Sequence, residues 1–151
     1  MHINHATNRA FSRLTALKGH VMPAVLVVYF RTLLNGWTTN RRMRTANNIA
    51  KHNLPPCPLC GTAEDSLEHL AYCRWTCLIF KRFHVPISNT VEFLALDHAC
   101  TAVRVLTLMV RALAVVYMVY NTVTHHPSSS PPLNLPDLIN VACARPGAPP
   151  Q

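Results

Sequence analysis

Cys57, Cys60, His69 and Cys73 form a C-x2-C-x8-H-x3-C array, four soft metal ligands inside seventeen residues. Thiolate and imidazole in a closed tetrahedron are what Zn²⁺ prefers, and three cysteines with one histidine make a standard structural set. The first pair lies in Pro56-Cys57-Pro58-Leu59-Cys60-Gly61. A tight turn there lets two thiolates reach one ion, and Gly61 permits the positive φ that turns the chain away. Three residues separate His69 from Cys73, which places this second pair at i and i+4 on one helix face. Asp65 and Ser66 are the candidate N-caps of that helix and Glu68 falls in its first turn. Leu67, Leu70, Ala71, Trp75, Leu78 and Ile79 follow with helical apolar spacing. The expected cofactor is a single structural Zn²⁺ per chain.

Cys77 follows Cys73 by four residues on the same face, so it is an alternative ligand or a neighbour of the site. A disulfide scaffold is the competing chemistry. Six cysteines in 151 residues are too sparse for a small disulfide-rich domain, and no clear secretory signal points to an oxidising compartment. Cys100 and Cys143 have no partner at metal spacing and read as a packed thiol and a tail residue.

The elements that must hold this array are helical. Half of the residues are apolar and glycines number only four, so the fold class is mostly α. The expected architecture is a small helical zinc-binding domain with a long apolar C-terminal helix and a disordered tail. Residues 1–20 read as a basic, poorly ordered leader, 21–86 as the zinc domain, 87–124 as a helical extension and 125–151 as a Pro- and Ser-rich disordered tail. Val21 to Phe30 imitates a signal-peptide core, but Pro23 interrupts it, Arg31 follows directly and no small-residue cleavage site precedes Asn35. A mitochondrial presequence is the weaker reading of the first twenty residues, which contain Arg and Ser and no acid. The expected location is intracellular, nuclear or cytoplasmic.

Pro23 to Leu34 reads as a helix with proline in its first turn, directing Val25, Leu26, Tyr29, Phe30, Leu33 and Leu34 to a core. Asn35-Gly36 ends it in a turn. Thr39 or Asn40 can cap a short cationic helix from Arg41 to Lys51, placed just before the metal turn. Every charged residue before Glu64 is basic, eight cations without one carboxylate. Such a field suits a polyanion, and Arg41, Arg42, Arg44 and Lys51 are the candidate nucleic-acid contacts.

One family shares this combination. The run from Val21-Met22-Pro23-Ala24-Val25 through Tyr29-Phe30-Arg31-Thr32-Leu33-Leu34-Asn35-Gly36-Trp37-Thr38-Thr39-Asn40-Arg41-Arg42 is followed by Cys57-Pro58-Leu59-Cys60-Gly61 and by Ser66-Leu67-Glu68-His69-Leu70-Ala71-Tyr72-Cys73. Together these resemble the zinc-binding domain that lies C-terminal to the polymerase in many non-LTR retrotransposon reverse transcriptases. The resemblance covers roughly residues 20 to 83 and is more specific than the ligand spacing alone. It implies that Cys57, Cys60, His69 and Cys73 are metal ligands and that the chain associates with RNA or DNA. Catalysis is not expected, because no Tyr-x-Asp-Asp turn is present and six scattered carboxylates do not furnish a two-metal centre. The x8 gap between Cys60 and His69 also departs from the shorter retroviral nucleocapsid knuckle.

Downstream, Arg74 to Phe83 is expected to continue the ligand helix, with Trp75, Phe80 and Phe83 as apolar anchors and Pro86 closing it. The aromatic rings could stack on bases, but the core is the preferred place for them. Cys100 to Tyr120 is apolar over almost the length of a bilayer. Arg104 and Arg111 lie seven residues apart on one face, and an arginine at mid-span costs about 2.5–3.5 kcal/mol on insertion. A helix packed on the zinc domain or on a polymerase or other protein partner is therefore preferred to a membrane span. His125-His126 marks the end of that helix, and Leu133, Leu135, Leu138 and Ile139 in the tail are candidate docking residues. A structural or protein-interaction zinc module, and a single-pass membrane protein with a zinc-binding head, are the alternative functions.

Overall fold

Helix α7, Val103–Thr124, is the element on which most of the others pack. Leu106, Val110, Leu113, Val116 and Tyr120 recur at helical spacing and are fully or almost fully buried. Ala112, Val115 and Val119 widen that apolar face, so partners are needed on more than one side. The computed structural model describes residues 2–47, 55–97, 102–127 and 129–144. Around α7 stand α1 (His2–Leu17), α2 (Pro23–Leu33), α5 (Arg74–Arg82) and α8 (Leu135–Cys143). Three short helices, α3 (Asn40–Asn47), α4 (Leu67–Leu70) and α6 (Thr90–Phe93), occupy the connections. The chain is mostly helical, and among the described residues the β structure amounts to an isolated antiparallel bridge between Pro56 and Glu64.

Helix α2 begins where Pro23 supplies a fixed φ and has no N–H to leave unpaired. It ends in a Schellman motif: Gly36 N–H donates to Arg31 O at 2.6 Å and Asn35 N–H to Thr32 O at 3.0 Å. Asn35 takes the left-handed conformation at φ 50°, and a Cβ on Gly36 would meet Arg31 O at 2.9 Å. The turn delivers Trp37 into the core, where its Nε1 donates to Thr32 Oγ1 at 2.8 Å and its ring meets Tyr117 edge-on at 5.0 Å. That anchor fixes where α3 starts. The cationic helix is described over Asn40–Asn47, and Lys51, to which it was expected to run, lies outside the described residues.

Two expectations about order are corrected. The basic leader is helix α1, because Leu17 is buried, Arg9 donates to Leu96 O at 3.1 Å and Arg13 donates to Asp97 O at 2.9 Å. Within the Pro- and Ser-rich segment, Leu135–Cys143 forms α8, with Pro136 in its first turn and Ile139 and Ala142 buried. Proline at that position favours a helix start and does not signal disorder. Cys143 accordingly belongs to a packed helix, and Cys100 lies outside the described residues.

Candidate metal centre

Cys57, Cys60, His69 and Cys73 come together from three separate pieces of local structure, their ligand atoms all within 4.8 Å of one another. The turn that carries the first two is held by Gly61 N–H donating to Cys57 O at 2.8 Å and Cys57 N–H donating to Ala63 O at 2.7 Å. Gly61 sits at φ +71° with open space where a Cβ would be, so glycine is required there by conformation and not by crowding. His69 rides on α4, whose N-cap is Ser66: its Oγ accepts from His69 N–H at 3.0 Å.

The expected single helix from Ser66 to Phe83 is two helices. α4 stops at Leu70, and Cys73 stands in an extended conformation, φ −62° and ψ 127°, as the N-cap of α5. His69 and Cys73 therefore meet through a break and not through i, i+4 stacking on one face. The break separates two demands that one rigid rod would couple. The ligand side chains must turn toward the Cys57 loop, while Ile79, Phe80 and Phe83 must bury against the core.

The donor set fits a tetrahedral ion. Bonds of about 2.3 Å to sulfur give tetrahedral edges of about 3.8 Å. Here Cys60 Sγ lies 3.2 Å from His69 Nε2 and all other pairs fall within 4.8 Å. Cys57 and Cys73 are buried, and none of the described cysteines forms a disulfide. The Cys57 thiol donates toward Cys73, which holds Cys73 well below the usual thiol range; the same contact and burial push Cys57 up. Thr62 Oγ1 donates to Cys60 Sγ at 3.3 Å, one of the outer contacts that orient ligands. Cys77 stands outside the four. Its Sγ points to Ala71 O at 3.8 Å, and burial raises its thiol.

The residue missed by sequence reading is Asp65. It was a candidate cap of the helix that follows it, but its carboxylate serves a helix twenty-five residues earlier: Oδ2 accepts from Asn40 N–H at 2.8 Å. The same oxygen accepts from Tyr120 Oη at 2.7 Å, and the Asp65 carbonyl accepts from Arg41 N–H at 3.0 Å. One buried residue thus ties the metal loop to the positive end of α3 and to the core helix α7. Burial raises the Asp65 carboxyl despite these donors, and burial with Asp65 alongside raises Tyr120. No local signal marks a through-space cap. An aspartate lying between the ligands Cys60 and His69 and followed by a serine was the available hint.

Of the cationic candidates, Arg41 and Arg42 are exposed on α3 and line a cleft of about 430 Å³ whose far wall is formed by Ser66, Leu67 and Glu68. Arg41 Nη1 lies 3.4 Å from Glu68 Oε2, and Arg42 Nη1 donates to Trp37 O at 3.3 Å. Both side chains of the ion pair are about half exposed, so the pair is worth little. Arg44 is a residue of α3. No family model matches the chain, and no curated protein or solved structure is significantly similar to it.

Proposed function

We propose that this chain is a zinc-stabilised nucleic-acid-binding module resembling the region C-terminal to a retrotransposon reverse transcriptase, non-catalytic by itself. The observation that carries the reading is the junction of α3 and α4. Exposed Arg41 and Arg42 face a cleft whose other wall is the helix that bears the ligand His69. Three thiols and an imidazole favour zinc over harder cations. Bound there, zinc supplies no reaction chemistry; it fixes the turn and α4 against each other. Asp65 then transmits that order to α3, so the cations on α3 are presented on a fixed scaffold. Free thiols at such a site suit a reducing, intracellular compartment.

Phosphate contacts from Arg41, Arg42 and Arg44 would set RNA or DNA affinity and make it fall with salt. The test is substitution of these three arginines together by alanine in the metal-loaded chain. Weaker RNA binding with a shallower salt slope, by roughly 0.7 per lost phosphate contact on a single strand, supports the reading. Unchanged affinity and slope refute it.

A second reading, a protein-interaction zinc module that docks on a polymerase, draws on a different surface. Phe11, Phe30 and Leu34 are exposed beside an apolar cleft of about 210 Å³ between α1 and α2. Salt-insensitive association lost on substituting Phe30 and Leu34 would favour it. The membrane-head reading is the least supported: α7 is apolar enough to span a bilayer, with mean hydropathy 1.8, yet half of that window is buried by the other helices.

A further inference from the structure

A cleft of about 570 Å³ opens where the end of α5 meets the first turns of α7, sharing no lining residue with the Arg41–Arg42 cleft. Phe83 and Leu108 make part of its wall apolar, while Arg104, Arg111, His20 and His84 bring four nitrogen-rich side chains and no carboxylate lines it. None of these four forms an ion pair with another described residue. Arg104 and Arg111 are seven residues apart, about 10.5 Å along the helix, so their guanidinium groups can converge on a ligand between them. Val103, the first residue of α7, also lines the cleft, and the helix has neither a side-chain cap nor an acid in its first turn. The positive end of its dipole is left without a carboxylate of its own.

His84 adds an independent sign. It occupies the left-handed position, φ 58°, of a Schellman motif that ends α5, with Val85 N–H donating to Phe80 O at 3.1 Å and His84 N–H to Lys81 O at 3.0 Å. Glycine is the low-cost residue there. Ala95 holds the same conformation at φ 53° after α6, but it is buried and its methyl packs. His84 is exposed at that position, and the turn aims its imidazole to the wall of the cleft that Arg104 and Arg111 also line.

We propose that this cleft is an anion site that takes a phosphate-bearing ligand, held by Arg104 and Arg111 with His20 and His84 as further donors. The site is separate from α3 and stands whether or not α3 binds nucleic acid. The test is calorimetric titration of the metal-loaded full-length chain with inorganic pyrophosphate. Saturable one-site binding is expected, weakened at least about tenfold by Arg104→Ala with Arg111→Ala and unaffected by Arg42→Ala. His84→Gly keeps the test decisive if the arginine variant fails to fold. It should weaken pyrophosphate binding while raising Tm, a pairing that a purely structural role for His84 does not produce. Absence of saturable binding to the intact chain, or wild-type affinity in folded Arg111→Ala and His84→Gly, overturns the proposal. A short single-stranded oligonucleotide that displaces pyrophosphate identifies the phosphate as part of a nucleic-acid strand. Failure to displace it identifies a small free phosphate compound as the ligand.

Discussion

Between Pro55 and Cys73 the chain forms one four-residue helix and an isolated bridge, whereas α7 and the longer helices around it bury Leu106, Leu113, Phe80 and Ile139. The metal loop contributes few large apolar side chains of its own; Leu59, Leu67 and Leu70 are its main ones, and two of its buried residues are the thiols Cys57 and Cys73. The bundle is held by apolar burial, and the loop by side chains that converge on one point. A short segment buries little surface to offset its ordering entropy, and a metal tie is the physical substitute that its Cys and His side chains could supply. Asp65 is where the two regimes join, bonded at once to α3 and to Tyr120.

The largest expected effect breaks the comparison open. Chelation of the metal should unfold residues 55–73, because structural zinc contributes about 10–16 kcal/mol in small peptide sites. The α7 bundle should keep much of its helical signal, and residue-resolved hydrogen exchange would read both regions at once. Loss of protection that is uniform across both regions would show that they are one cooperative unit. Next in size is Leu113→Ala, in the middle of α7 and buried. It should cost about 2–5 kcal/mol by denaturant titration while leaving metal stoichiometry intact. A variant that lost its metal as well would deny the division.

The smallest effect concerns the joint. The Asp65 carboxyl is raised in the folded chain, so its contribution to stability is present below its unfolded value and is lost as pH rises through the folded one. Asp65→Asn removes that charge while keeping an acceptor for Asn40 N–H and Tyr120 Oη. From about pH 4 to 7 the Tm difference between the metal-loaded chains should therefore move in favour of the variant. Both carry the same ligands, so the metal's own pH dependence cancels. A constant difference would mean that burial does not govern this carboxyl.

What the sequence made legible was what local rules control. The ligand spacing, the Pro23 start, the Asn35-Gly36 stop and the apolar run of α7 all act within a few residues, and each has its counterpart in the structure. The break between α4 and α5 was hidden because apolar spacing continues through it; only the separate directions required of Cys73 and Phe80 impose it. Order in α1 was hidden for a related reason. Arg9 and Arg13 look like surplus charge until Leu96 O and Asp97 O, more than eighty residues away, accept from them. These two of the eight cations before Glu64 thus also hold backbone carbonyls of the chain itself. The Asp65 cap is likewise a tertiary contact, invisible to any window on the chain.

The central claim is that four side chains and no others hold one metal ion on which the loop depends. Elemental analysis of the purified full-length chain, with Cys57→Ser, His69→Ala and Cys77→Ser alongside, tests it most directly. One zinc per chain is predicted, lost with Cys57→Ser or His69→Ala and retained with Cys77→Ser, whose thiol only faces Ala71 O. Zinc retained in full by His69→Ala, or lost with Cys77→Ser, would contradict the account.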